Sequence, residues 1–130
     1  MPGVKDWILK ATGNLQAAKK LIKGDDLTLD LAAYATQQSS EKTLKAFLIF
    51  KGQRVLKTHD LEKLLEECVK FDETFASLKT EAEALTPYAT YTRYPDDYFD
   101  IDRDEVLQAI EHAEKILIFV KTKIIVTKQH

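Results

Sequence analysis

The sequence predicts an all-α fold, an up-and-down bundle of four main helices plus a shorter helix, in one domain spanning residues 1–130. Three observations lead there. Only four glycines and three prolines occur in 130 residues, too little turn material for many short strands. Apolar residues recur at intervals of three and four through long segments, the period of a helix face. Apolar residues make up 45% and charged residues 31% of the chain, the balance of a globular protein large enough to bury a core.

The first helix is expected over about Asp6 to Lys23, where Trp7, Ala11, Leu15, Ala18 and Ile22 fall on one face. "KGDDLT" breaks it. Gly24 suits a helix C-terminus, and Asp25, Asp26 and Thr28 are candidate caps for the next helix. The second helix should run from about Leu29 to Phe50 and end near Gly52. It is apolar nearly all round, which places it at the centre of the bundle or in an oligomer interface. Thr58 is the expected cap of a third helix, with Asp60 and Glu62 in its first turn and Leu61, Leu64, Leu65 and Cys68 as its buried stripe. A fourth helix is expected over about Asp72 to Leu85, burying Phe75, Leu78, Ala82 and Leu85. "TPYATYTRYPDDYFDI" reads as an ordered loop, because aromatic side chains at that density pack against something. The last helix has the clearest start. Asp102 and Glu105 fit a capping box, Ile101 and Val106 fit the flanking staple, and Val106, Ala109, Ile110, Ala113, Leu117, Val120 and Ile124 share a face. The tail "VTKQH" is expected to fray.

Composition excludes several classes of function. A net charge of -2 gives no bulk attraction for nucleic acid, so any RNA contact must rest on a local patch. The one cysteine, Cys68, rules out an internal disulfide and a cysteine metal cage, and it sits on an apolar face as core packing. No metal or cofactor is expected. "MPGVKDW" lacks the apolar stretch of a signal peptide, and "AFLIF" and "ILIFV" are far shorter than a membrane span, so a cytoplasmic protein without a membrane partner is expected. Asp100, Asp102, Asp104 and Glu111 mimic the ligand spacing of a calcium loop, but Glu105 occupies the position where that loop needs glycine.

Three constellations could carry chemistry. On the second helix Tyr34, Gln38, Glu41 and Lys45 fall within a sector of roughly 60°. Glu41 and Lys45 form an i,i+4 pair in the favourable order, flanked by Leu31, Leu44, Leu48 and Ile49. This polar strip is either a structural ion pair or the lining of a cleft or dimer interface. In "RVLKTHDL", His59 can serve as general acid or base, and Asp60 can bond amides at the helix start. In "RYPDD", Arg93 is a multi-donor group suited to carboxylate or phosphate, with Tyr94 and Tyr91 beside it for stacking. Alternatively, Arg93 pins the loop to the bundle.

Together, "YATQQSSEKTLKAFLIFKG", "KTHDLEKLL", "YTRYPDD" and "AIEHAEKILIFV" resemble the HEPN domain family (higher eukaryote and prokaryote nucleotide-binding), over nearly the whole chain. The resemblance implies a helical bundle that forms a homodimer. It also implies a small protein paired with a minimal nucleotidyltransferase as a toxin–antitoxin couple, with a nucleotide or RNA as ligand. Gln38, Glu41, Lys45, His59, Asp60, Arg93 and Tyr94 are the residues it points to for that ligand. Many members of the wider superfamily are metal-independent ribonucleases marked by an Arg separated by four to six residues from a His. Arg54 and His59 meet that spacing, although the family's pair usually lies late in the chain. Three functions are therefore expected to compete: a nucleotide- or RNA-associated module, a ribonuclease using His59 and Arg54, and a purely structural interaction protein.

Overall fold

The computed structural model describes residues 3–90 and 101–128. Within them the chain is all-α, with five helices and no strand: α1 (Val4–Leu21), α2 (Leu29–Phe50), α3 (Leu61–Val69), α4 (Lys79–Leu85) and α5 (Arg103–Lys128). Short 3-10 turns precede α2 (Asp26–Thr28) and α4 (Glu73–Leu78) and follow α4 (Thr86–Ala89).

α1 starts two residues earlier than the apolar pattern suggests. The carboxylate of Asp6 reaches back to accept from the Gly3 amide at 2.9 Å, satisfying a backbone donor at the helix entrance. The α1–α2 turn uses its polar residues differently from a simple cap. Asp25 accepts from the Leu27 amide, while the Thr28 hydroxyl donates back to the Leu21 carbonyl. α2 keeps its expected limits and ends where Gly52 adopts a φ of +79°, a conformation that glycine reaches without a Cβ penalty.

Two further starts and one end differ from expectation. Asp60, not Thr58, is the N-cap of α3: its carboxylate accepts from the amides of Glu62 and Lys63. Thr58 lies just upstream, its hydroxyl accepting from the Asp60 amide at 3.1 Å. The expected helix over 72–85 is split into a 3-10 segment and a short α-helix, with Asp72 capping the former through the Thr74 amide. The buried residues Phe75, Leu78, Ala82 and Leu85 are unchanged by the split, since steps of three and four suit the two windings in turn. α5 remains helical through Lys128 instead of fraying at Val126. At its start Asp102 accepts from the Glu105 amide at 2.7 Å, but the Glu105 carboxylate turns to the Tyr88 hydroxyl.

α2 is the central element. It packs on α1 along its length and on α5, α3 and the turn after α4. Small residues let α1 and α2 approach closely: Ala11 and Ala18 on one side, Ala32, Ala35, Thr36 and Ser39 on the other, are all buried. At the other side Phe47 stacks obliquely on Phe75, which meets Phe119 of α5 edge-on at 5.0 Å between centroids. Cys68 is buried in this core, and burial pushes its thiol up to about 12, consistent with a packing role. No helix among the described residues is long and apolar enough to cross a membrane.

Candidate functional site

Burial on most sides leads α2 to satisfy most of its polar groups internally, the buried Ser39 Oγ being left without a partner among the described residues. Thr36, Ser40 and Thr43 do so by donating to carbonyls three or four residues back in their own helix. Gln37, Glu41 and Lys45 have side chains too long for that solution, and they build a network instead.

Glu41 is at the centre, with only 4% of its surface exposed. Its Oε2 accepts from Lys45 Nζ at 2.8 Å, and both side chains are buried. Its Oε1 accepts from Gln37 Nε2 at 3.3 Å and lies 2.9 Å from His59 Nδ1. Gln38 donates to the Gln37 Oε1 at 2.8 Å and so braces the same group. Burial alone would raise the Glu41 carboxyl. The hydrogen bonds from Lys45 and His59, the Lys45 charge and the bond from Gln37 outweigh it and hold the group below its ordinary value.

His59 is held twice. Gln37 Nε2 donates to its carbonyl at 2.9 Å, fixing the backbone just ahead of α3, and Glu41 holds the ring. An ionised carboxylate can only accept, so the imidazole nitrogen facing it carries a proton. The side chain is otherwise 73% exposed, which leaves Nε2 toward solvent. A buried carboxylate thus orients an exposed imidazole, an arrangement able to exchange protons with, or hydrogen-bond to, a group arriving from solution.

The remaining expected residues fall in different places. Asp60 is adjacent to His59, with its carboxylate on the amides that start α3. Arg54 is exposed in the α2–α3 loop. It lines a cavity of about 420 Å³ with Leu48, Gly52, Gln53, Leu56, Glu67 and Phe71, toward the C-terminal end of α3. His59 precedes the other end of that helix. Arg93, Tyr94 and Tyr91 lie outside the described residues. Gln37 is a member of the network that the sequence reading misses. It sits on the far side of Glu41 from the polar strip, and the i,i+4 spacing of Gln37 and Glu41 is the signal that could have found it.

Comparisons with known proteins agree with this architecture. The model of the HEPN domain matches residues 4–123. The crystal structure of TT1696 from Thermus thermophilus superposes with a TM-score of 0.82 at 31% identity, covering 95% of this chain and 99% of that one. The crystal structure of ST0689, an archaeal HEPN homologue, superposes with a TM-score of 0.76 at 29% identity and the same coverage. No curated protein matches the chain.

Proposed function

The chain belongs to the HEPN domain family, and on that premise we propose that it is a dimeric, nucleotide- or RNA-associated module. It works beside a minimal nucleotidyltransferase in a toxin–antitoxin-type pair. The observation that carries the ligand part is the exposed His59 imidazole, oriented by the buried carboxylate of Glu41. A histidine fixed at ring and backbone, with one nitrogen toward solvent, is more than helix packing requires. It suits an incoming phosphate or ribose hydroxyl, to which it can donate or from which it can accept a proton. The dimer and the nucleotidyltransferase partner rest on the family likeness alone.

Titration calorimetry with ATP, GTP and a short RNA tests the ligand part. At least one should bind the wild-type protein and bind His59→Ala more weakly, and absence of heat with all three on folded protein overturns it. A metal-independent ribonuclease is the second reading. It is supported by the same imidazole, with Arg54 or Arg93 to stabilise charge on the phosphorus centre. Since Arg54 faces a cavity at the opposite end of α3 from His59, the pair would have to be completed differently from its sequence spacing. RNA cleavage in EDTA that is equal in wild type and His59→Ala removes this reading. The structural alternative, with Glu41 and Lys45 as an interface ion pair only, predicts that Glu41→Gln weakens dimerisation and leaves ligand binding untouched.

A further inference from the structure

Lys42 follows Glu41 by one residue and so lies about 100° further round α2, turned toward α1. Its ammonium is half-buried and donates to Asn14 Oδ1 at 2.7 Å. That partner is neutral. Among the described residues no carboxylate lies within ion-pair distance of Lys42. Glu41, its neighbour, is engaged through one oxygen by Lys45 and through the other by His59 and Gln37. Lys10 stands one turn before Asn14 on α1, and Lys45 stands three residues after Lys42 on α2. The charges of Lys10 and Lys45 both bear on Lys42, and the one carboxylate that pulls on it, Glu41, is already committed.

This arrangement disfavours the charged form of Lys42. Burial first, and then the charges of Lys10 and Lys45, push the Lys42 pKa below that of an ordinary lysine, against an opposing pull from Glu41. A link between α1 and α2 through Asn14 alone would be made as well by a neutral amide at position 42. A half-buried ammonium with a neutral partner, next to two further cations, is complementary to an added anion.

We propose that Lys42, Asn14 and Lys10 form an anion subsite that takes a phosphate group. The inference depends on the preceding reading only for the wider ligand, a nucleotide or RNA; the new element is the set of residues that holds its phosphate. Lysine is a donor only, so the oxygen of the Asn14 amide must face Lys42, and its Nδ2 is left to donate elsewhere. An anion between the two helices would accept from Lys42 Nζ and Asn14 Nδ2, with Lys10 closing the exposed side. Each is a hydrogen bond to a charged acceptor, and the bond from Lys42 then joins opposite charges, which its bond to the neutral Asn14 oxygen does not.

The probes are inorganic pyrophosphate, ATP and a short oligoribonucleotide, measured on wild type, Lys42→Met, His59→Ala and Lys79→Met. Lys79 is an exposed lysine on α4 and serves as the control. Methionine keeps an unbranched stem and removes the charge together with the ammonium donors. Lys42→Met should weaken pyrophosphate binding about tenfold or more, while Lys79→Met leaves it unchanged. His59→Ala reports on the preceding reading and Lys42→Met on the subsite, so a loss in one without the other keeps the two results separately readable. If the oligoribonucleotide loses the same factor, the phosphate belongs to RNA; if only ATP does, it belongs to a free nucleotide. Should Lys42→Met fold poorly, the titration of Lys42 followed by NMR on reductively methylated wild-type protein replaces it. Pyrophosphate should move that titration upward, because an anion favours the charged form. No binding of any probe, equal effects of Lys42→Met and Lys79→Met, or an unmoved Lys42 titration overturns the subsite.

Discussion

Glu41 is a carboxylate that the protein cannot easily leave uncharged. It is almost wholly removed from solvent, yet its carboxyl is held below its ordinary value by Lys45, His59 and Gln37. In Glu41→Gln the Lys45 ammonium remains buried, with 7% of its side chain exposed, and loses its only carboxylate among the described residues. Breaking a buried pair in this way costs about 3–5 kcal/mol, so a clear fall in the denaturant midpoint is expected. The same residue sets a pH dependence. A carboxyl whose folded pKa lies below its unfolded value stabilises the fold above the unfolded pKa, about 4.3 for glutamate. That contribution is lost as pH falls through the folded value. The wild-type Tm should therefore drop more steeply than that of Glu41→Gln as the solution is acidified below about pH 4.3. Parallel Tm curves for the two proteins would show that Glu41 is not held ionised by its partners.

At the scale of elements, α3 joins the core to the candidate site. Leu61, Leu64, Leu65 and Cys68 seat its inner face, and Asp60 caps its start directly after His59. Asp60→Ala removes the acceptor for two orphan amides, at a cost of about 1 kcal/mol. It should lower the denaturant midpoint modestly and broaden the His59 NMR signals, since the residue loses its fixed continuation into the helix. An unchanged midpoint would mean that the Thr58 hydroxyl has taken over the cap. The element pattern was largely legible in the sequence because it rests on spacing. α2 and the start of α5 carry strong local signals, a glycine stop and an aspartate cap, and both lie where those signals put them. The split of 72–85 was not legible, because spacings of three and four over so short a run do not separate 3-10 from α winding. The candidate site was legible only in part. A helix sector collected Gln38, Glu41 and Lys45, but the joining of that strip to His59 depends on how α3 docks. Gln37 and Lys42 lie on either side of the chosen sector, and their partners, the His59 carbonyl and Asn14, are distant in sequence.

For the whole molecule, charge decides how a phosphate ligand can be held. Lys and Arg number 19 against 21 Asp and Glu, for a net charge of -2. Such a protein does not attract RNA from a distance, and its affinity must come from a few close contacts. Several of its lysines are also spent on carboxylates: Lys19 pairs with Glu114, Lys70 with Glu67 and Lys115 with Glu81. Lys42 differs from these: it is half-buried, its bonded partner is the neutral Asn14, and the neighbouring carboxylate, Glu41, is already shared by Lys45 and His59. Contact with single-stranded RNA releases counterions in proportion to the phosphates neutralised, about 0.7 per phosphate. Lys45 remains tied to Glu41, so Lys42 and Lys10 are the two that can contribute. The plot of log affinity against log salt for a short oligoribonucleotide should therefore have a slope of about -1.4, and Lys42→Met should reduce its magnitude by about 0.7. A protein with a long basic track would give a much steeper slope, and one that holds RNA by stacking alone would give almost none. A slope steeper than about -4 would place the RNA on some other surface, and a slope that Lys42→Met leaves unchanged would separate RNA binding from the α1–α2 lysines altogether.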